Sequence, residues 1–236
     1  LSFDYRTGEL QGFLKSYLEA GNASLSNIKI VSSCGLGLAG NIALTEDMQP
    51  VNEDFQSILP DIFRSSAMMD RFHLFIPGWK LPKISEGQIY YGWAIDAEVF
   101  SEYLHYMRTE TYSQNIFDEL VMYDKKTAYV RHAKSVRKIA TAYCKLLFPH
   151  IKSLDEMSVE DLNIFKKLYT EYCLFPAIEA RSYIYEQCQL VDGEYKHNSM
   201  PEFTIPDNEE PTDIEEPTAV DQSDEVGEDD QIAGVN

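Results

Sequence analysis

Three polar side chains that lie far apart along the chain have chemistry suited to a phosphoryl group. Asn41 directly follows an apolar run. A polar amide at the carboxyl end of a strand in an α/β sheet points into the crevice where ligands bind, and it can orient a water molecule there. Arg71 lies between a predicted helix end and a second apolar run, and Arg137 lies on the flank of a predicted basic helix. A guanidinium group matches phosphate oxygens with a planar fork of donors, which suits Arg71 to a neighbour's phosphate site, and Arg137 can present its charge to the cleft of a neighbouring domain.

Each of these residues also has a purely structural interpretation. Asn41 can cap the polar loop that follows it, and Arg71 can form a local ion pair with Asp70 or Asp61. The helix that carries the third residue has seven bases and no acid between positions 125 and 145, which is also typical of a solvated helix face. The residue types alone therefore leave binding roles and structural roles open.

The secondary-structure elements that position these residues are predicted from the hydrophobic pattern, which divides the chain into three parts. Residues 1–80 are predicted to be a mixed α/β part, residues 81–195 an all-helical domain, and residues 196–236 a disordered acidic tail. The tail is rich in Pro and poor in large apolar residues, so it cannot bury enough surface to offset the entropy of ordering. The predicted fold class is α/β, with a partial sheet followed by a helical domain.

Periodicity and turn signals place the individual elements. Strands are predicted at 28–31, 36–39 and 72–76. Helices are predicted at 10–20, 60–69, 96–108, 113–123, 133–148, 159–173 and 177–190. Gly21 is predicted to end the first helix, and Ser158 is predicted to cap the helix that begins at 159.

The net charge argues against one broad class of nucleic-acid-binding proteins. The 236 residues contain 39 acids and 20 bases, a formal charge of −19, so duplex binding through bulk positive charge is not expected. Twelve of the acids fall between Asp207 and Asn236, where there is no Lys or Arg, and the rest of the chain carries only −7. A local basic patch over 125–145 is therefore still compatible with the composition.

The cysteines and the apolar stretches point to an intracellular location. The four cysteines form no C-x-x-C pair and have no His at zinc-finger spacing, so we expect buried free thiols in a reducing compartment. The most apolar stretch, 28–44, is interrupted by polar residues and is too short to span a membrane as a helix. The N-terminus has no basic leader, so the expectation is a cytoplasmic protein without a membrane partner. The first residue is Leu1 rather than Met, and one interpretation is a fragment whose upstream part is missing.

Glycine-rich and nucleophile motifs predict no independent site. Residues 35–40 fit G-x-G-x-x-G formally, but a polar loop rather than a helix follows them, so a dinucleotide site is not favoured. The sequence contains no G-x-x-x-x-G-K-[ST] phosphate loop and no G-x-S-x-G nucleophile motif. The five histidines do not form a ligand set, and no metal ligands are predicted in this sequence.

One continuous run is far more specific. Residues 70–79, Asp-Arg-Phe-His-Leu-Phe-Ile-Pro-Gly-Trp, followed by Leu-Pro-Lys at 81–83, resemble the signature of the BrxL family, the Lon-like AAA+ component of BREX phage-defence systems. The order of an Asn after a strand, an Arg after a helix and a basic helix also resembles the second half of an AAA+ ATPase of the MCM-like branch. The likeness covers residues 1–190. It implies a partial AAA+ core of the P-loop NTPase type, followed by a helical lid.

The resemblance assigns roles to individual residues. Asn41 corresponds to sensor 1, and Arg71 corresponds to an arginine finger that acts on ATP held by the adjacent subunit. Arg137 corresponds to sensor 2, with Arg131 as the substitute if the alignment is shifted. The three functions are expected to converge at a nucleotide pocket between protomers.

The resemblance also implies cofactors and partners. ATP and Mg²⁺ would be bound mainly by Walker A and Walker B segments upstream of this chain, with Arg131 and Arg137 contributing to ATP binding. A finger that acts between subunits requires a homo-oligomeric ring, for which MCM-like relatives suggest a hexamer. The ring would act on DNA, with other defence-system proteins as further partners. A pre-sensor hairpin near 22–33 would place Lys29 at a central pore, where it would bind nucleic acid.

Two alternatives stay open at this point. The chain can be a non-catalytic interaction module whose helical block and acidic tail bind a partner, and a phosphate loop in the upstream gene segment would argue against that. An ATP-dependent Lon-like protease would need a Ser–Lys peptidase domain, and no such residues can be identified in this sequence.

Overall fold

The computed structural model describes residues 2–25, 28–32, 34–126, 129–197 and 199–206. The chain divides into residues 1–206 and residues 207–236, and the second part, with most of the predicted acidic tail, lies outside the described residues. The domain boundaries predicted at 80 and 195 stay predictions.

Helices dominate the described part of the chain. They are α1 Ser2–Ala20, α2 Ser66–Met69, α3 Ala97–Thr109, α4 Tyr112–Leu120, α5 Val130–Leu147, α6 Val159–Tyr169 and α7 Phe175–Val191. Short 3₁₀ turns occupy Phe55–Ile58, Asp61–Phe63, Gly78–Lys80, Glu86–Gln88 and Gly193–His197. A π-helical turn, Thr170–Leu174, joins α6 to α7.

A small antiparallel hairpin follows α1. Its strands are β1, Asn22–Leu25, and β2, Ile28–Val31, which confirms both the strand at 28–31 and the hairpin expected near 22–33. Gly21 ends α1 as predicted, because its φ of +67° is the left-handed conformation that favours glycine.

Two predicted strands are wrong, because residues 36–39 and 72–76 are not in strands. A strand needs a neighbouring backbone to complete its hydrogen bonds, and neither run has such a neighbour within the described residues. In the second run the Phe75 N–H donates instead to the Ala180 carbonyl of α7 at 3.0 Å. The described part of the chain is therefore mostly helical, with a two-stranded sheet.

The helix predicted at 60–69 is also not continuous. Ser65 has an extended backbone with φ −75° and ψ 142°, so it separates the 3₁₀ turn Asp61–Phe63 from α2. The segment therefore consists of two short turns of helix that lead directly into the signature run.

The helices predicted between 96 and 190 are confirmed, with shifts of a few residues at their ends. Val136, Ile139 and Ala140, which the 3.6-residue pattern placed on one face of α5, are all buried in a core shared with α4, α6 and α7. The Oγ of Ser158 accepts a hydrogen bond from the Asp161 N–H at 3.1 Å, which confirms the predicted cap.

The cysteine prediction is only partly right. Cys144, Cys173 and Cys188 are buried free thiols, whereas Cys34 is exposed because its segment lies at the surface and forms no strand. Every helix in the described ranges is too short or too polar to span a bilayer.

The aromatic half of the signature run 70–79 packs near α7. The Phe75 ring lies 5.4 Å from that of Phe55, 5.8 Å from that of Trp79 and 5.7 Å from that of Tyr183 in α7, measured between centroids. This packing anchors the run on α7.

Candidate functional site

A cleft of about 290 Å³ lies between the C-terminal end of α1, the start of the signature run and α5. Its walls contain five Lys or Arg side chains and two carboxylates, so it is suited to an anion. The lining residues are Leu18, Glu19, Asp70, Arg71, His73, Arg131, Lys134, Ser135, Arg137 and Lys138.

One face of α5 supplies much of this lining. Arg131, Lys134, Ser135 and Lys138 follow the spacing i, i+3, i+4, i+7, which places them on the same side of a helix. From the sequence alone, these bases could also have formed a solvated helix face. In the structure the same bases border the signature run.

Arg71 is held mainly by its own chain. Its Nε donates to the Lys15 carbonyl at 3.1 Å and lies 3.2 Å from Glu19 Oε2, and its Nη1 donates to the Ala67 carbonyl. Only 16% of the side chain is exposed. Arg71 therefore forms part of the cleft wall. Its acidic partner is Glu19, and neither of the aspartates considered from the sequence pairs with it.

Arg131 of α5 contacts the same carboxylate. Its Nη2 lies 3.5 Å from Glu19 Oε2, and its Nη1 donates to Asp70 Oδ2 at 3.0 Å. Burial lowers the pKa of the Arg131 guanidinium, but the hydrogen bond to Asp70 and the charges of Asp70 and Glu19 outweigh this and raise the pKa. One oxygen of Glu19 thus contacts both Arg71 and Arg131.

Arg137 lies at the edge of the cleft but is engaged elsewhere. Its Nε donates to Asp118 Oδ1 of α4 at 2.7 Å, and its Nη2 donates to Asp118 Oδ2, in a two-point contact. This hydrogen bonding raises the pKa of the Arg137 guanidinium. Of the two residues considered for sensor 2, Arg131 is the one that lies beside Arg71.

Asn41 and Lys29 lie outside this cleft. Asn41 is exposed in the loop that replaces the predicted strand, and Lys29 is exposed in β2, opposite Ser24. The structure therefore brings Arg71, Arg131 and Arg137 to one cleft, and the expected convergence with Asn41 is not seen within a single chain.

His73 closes one end of the cleft as a neutral side chain. Its Nε2 accepts a hydrogen bond from Lys138 Nζ at 3.0 Å, and its Nδ1 lies 3.3 Å from Ser135 Oγ. Burial, together with the charges of Lys138 and Arg181, lowers the pKa of His73 to about 4. The ring can therefore accept from Lys138 at neutral pH.

A buried charge network lies directly behind the cleft. The side chains of Asp70 and Arg181 are both 0% exposed, and Arg181 Nη2 donates to Asp70 Oδ1 at 2.5 Å. Arg181 Nε also donates to His132 Nδ1 at 2.9 Å. Sequence reasoning missed this pair, because residues 111 positions apart leave no local pattern.

The described residues contain no group of three or more His, Cys, Asp or Glu side chains that could hold a metal ion. The guanidinium and ammonium groups that line the cleft are suited to binding an anion.

Comparison with known proteins identifies the class of domain. A family model described as "Lon-like protease BrxL-like, ATPase domain" matches residues 2–201. The match covers most of the chain, which therefore belongs to this BrxL-like family of ATPase domains. The resemblance drawn from the run 70–79 is confirmed.

Two curated relatives share this family name. The chain is 24% identical to "Lon-like protease BrxL" of Escherichia coli O9:H4 (strain HS) over 180 residues, which cover 76% of this chain and 24% of the relative. It is 24% identical to "Lon-like protease BrxL" of Bacillus cereus (strain H3081.97) over 144 residues, which cover 61% of this chain and 21% of that relative. The aligned part of the chain thus spans less than a quarter of the length of each relative.

Proposed function

We propose that this chain supplies phosphate-binding cations to a Lon-like AAA+ ATPase of the BrxL type. The observation that carries the proposal is the pair Arg71 and Arg131, which meet at one oxygen of Glu19 in a chain of an ATPase family. Two guanidinium groups that share one carboxylate oxygen are placed to share the oxygens of one phosphate group.

Arg71 is the arginine finger in this proposal and acts on ATP held by the adjacent subunit. To reach a phosphate its guanidinium must leave Glu19, whose side chain is 44% exposed. The Arg71 side chain is itself only 16% exposed and also donates to the Lys15 and Ala67 carbonyls, so the contact with Glu19 is the one that another anion can replace. A phosphate with several negative charges can therefore replace the carboxylate.

Arg131 is the better candidate for sensor 2, and Arg137 is the second. Arg131 faces Arg71 across the cleft, so both act on the same phosphate group, whereas Arg137 would first have to leave its two-point contact with Asp118. Asn41 stays a candidate for sensor 1 that would serve the ATP of its own subunit, away from this cleft.

The cleft fits phosphate groups in size and in charge. Arg71, Arg131, Lys134 and Lys138 would hold them, because these cations line about 290 Å³ together with only two carboxylates. Bound ATP supplies the phosphoryl group, and Mg²⁺ supplies charge neutralisation. The Walker segments that would hold both are expected upstream.

The proposed assembly is a cytoplasmic homo-oligomeric ring, with a hexamer as the expected size, that acts on DNA in phage defence. Support for a DNA contact comes from the hairpin after α1, where Lys29 is exposed between Ile28 and Ile30, which are 64% and 39% exposed. An exposed cation on a strand of a hairpin suits the phosphates of a nucleic-acid strand that passes through a pore.

The finger assignment is tested with Arg71→Ala in the full-length gene product. ATP turnover is expected to fall by about 10³-fold or more, the range found for arginine fingers in other NTPases, while binding of a fluorescent nucleotide analogue stays within about threefold, because the finger acts from the neighbouring subunit. Arg64→Ala is the matched control, since Arg64 pairs with Asp61 at 2.8 Å outside the cleft. Unchanged turnover in Arg71→Ala would remove the assignment.

One observation favours the second candidate, a non-catalytic interaction module. Tyr90, Tyr91 and Trp93 are 74%, 86% and 98% exposed, an unusual number of free aromatic side chains on one short segment. With Trp79→Phe in place, Trp93 becomes the sole tryptophan of these 236 residues, and partner binding would shift its emission to the blue. A partner-dependent shift in the 236-residue chain, together with no ATP hydrolysis by the full-length gene product, would favour this candidate.

A further inference from the structure

Arg181 donates hydrogen bonds to the backbone on both sides of Arg71. Its guanidinium is fully buried, and its Nη1 donates to the carbonyl of Asp70 at 3.2 Å and to the carbonyl of Phe72. These two residues are the immediate chain neighbours of Arg71. The direction in which the Arg71 side chain leaves the backbone is therefore set by a residue of α7.

Asp70 extends the same control to Arg131. One carboxylate oxygen of Asp70 accepts from Arg181, and the other accepts from Arg131 at 3.0 Å. The carboxylate is fully buried, while 33% of the Arg131 side chain is exposed toward the cleft. The buried carboxylate of Asp70 thus connects Arg181, inside the protein, to Arg131, which faces the cleft.

Stability alone does not account for this arrangement. Removing two charges from water is costly, and buried ion pairs can often be replaced by apolar residues without loss of stability. What a buried pair does provide is a fixed geometry, because the planar fork of Arg181 reaches two carbonyls, one carboxylate oxygen and His132 Nδ1 at once.

We propose that Asp70 and Arg181 are positioning residues that direct Arg71 and Arg131 toward the same phosphate group. The proposal rests on the function proposed above for the cleft. Neither residue is available to the ligand: Arg181 does not line the cleft, and the side chain of Asp70, although it borders the cleft, is 0% exposed.

The test separates positioning from folding by means of a double variant. Asp70→Asn and Arg181→Lys each remove part of the network, and each is expected to lower kcat for ATP in the full-length gene product by about tenfold or more, with KM within about threefold. Asp70→Asn/Arg181→Met removes both charges together. Its melting temperature is expected to return to within about 5 °C of the parent, because no unpaired buried charge is left, while kcat stays low.

A matched control comes from the same helix. Gln187 is also buried in α7, and its side chain accepts from the Phe55 N–H at 2.8 Å and donates to the Glu53 carbonyl at 2.8 Å, away from the cleft. Gln187→Leu is expected to lower the melting temperature and to leave kcat unchanged. A kcat that recovers with stability in the double variant, or that falls equally in Gln187→Leu, would overturn the proposal.

A second readout needs no ATP hydrolysis. The 236-residue chain has seven arginines, so their Nε–H signals can be resolved by ¹⁵N NMR. The Arg71 Nε–H, which donates to the Lys15 carbonyl, is expected to exchange with water about tenfold faster in the double variant and at the parental rate in Gln187→Leu. An unchanged rate in the double variant overturns the positioning role. If the unmutated full-length gene product does not hydrolyse ATP, the proposed function is overturned instead. The exchange rate of the Arg71 Nε–H then decides the positioning role by itself.

Discussion

Arg71 and Arg131 line one cleft and contact the same atom, Glu19 Oε2, at 3.2 and 3.5 Å. The two arginines come from segments 60 residues apart in the sequence, and the carboxylate that joins them belongs to a third segment, α1. Two like charges are held this close because an anion lies between them. The site is therefore already arranged around a negative group.

Glu19→Gln is predicted to strengthen anion binding by this chain. The variant removes the charge that competes for Arg71 and Arg131 and keeps the size of the side chain. We expect the Kd for inorganic tripolyphosphate, measured by calorimetry at low salt, to fall by about two- to fivefold, the effect of losing one partly exposed ion-pair partner. Glu9→Gln, an exposed site on the same helix, is the control. A Kd that is unchanged or higher in Glu19→Gln would contradict the model of competition.

Arg131→Ala is predicted to impair ATP turnover more than Arg137→Ala does. Arg131 faces the proposed phosphate position, whereas Arg137 is paired with Asp118 of α4. We expect a loss of about tenfold or more for Arg131→Ala, and for Arg137→Ala a loss of only about threefold or less with a small loss of stability, since such exposed pairs contribute about 0–1 kcal/mol. Steady-state kinetics and thermal melts of the full-length gene product measure both. The reverse order would return the sensor 2 role to Arg137.

Stability is predicted to decrease as the pH falls from about 6.5 toward 4. Burial and nearby cations lower the pKa of His73 and of His132 to about 4, below the 6.5 of a free histidine. In that window the unfolded chain binds more protons than the folded chain, so acid favours unfolding. Urea midpoints at pH 7 and pH 5 measure the effect.

A histidine substitution checks the source of this pH dependence. His73→Gln is expected to reduce the difference between the two midpoints, whereas His105→Gln, at an exposed site in α3, is expected to leave it unchanged. An equal difference between the pH 7 and pH 5 midpoints in both variants would show that the half-buried His73 ring is not responsible.

Lys29→Ala is predicted to weaken DNA binding by the full-length gene product. The loss of one phosphate contact should weaken affinity about equally for all DNA sequences. It should also lower the slope of log K against the logarithm of the salt concentration by about one. Fluorescence anisotropy at several salt concentrations measures both quantities. Lys152→Ala, an exposed lysine outside the basic patch 125–145, serves as the control. An identical affinity and salt slope in Lys29→Ala would place the DNA contact elsewhere.

Local patterns in the sequence predicted the helices between 96 and 190 well, because the apolar period of a helix is contained in the helix itself. The runs 36–39 and 72–76 were misjudged for the opposite reason. Their composition suits a strand, but a strand also requires a neighbour, and no local pattern reports one.

The same limit explains what was found and what was missed in the candidate site. Arg71 and Arg131 could be singled out from residue type and family resemblance. Glu19 and Arg181, which hold them, could not be, because their partners lie 49 to 112 positions away in the sequence. The sequence indicated Asp70 only as a possible local ion-pair partner of Arg71, whereas the structure pairs it with Arg131 and Arg181.

Three hydrogen bonds join the signature run to α7. The Phe75 N–H donates to the Ala180 carbonyl, and Arg181 donates to the carbonyls of Asp70 and Phe72, so the run and the helix are expected to move together. A tilt of α7 would therefore also displace Arg71. Any protein or nucleic acid that pushes on this helix from outside would therefore change how far the guanidinium reaches, without touching the cleft.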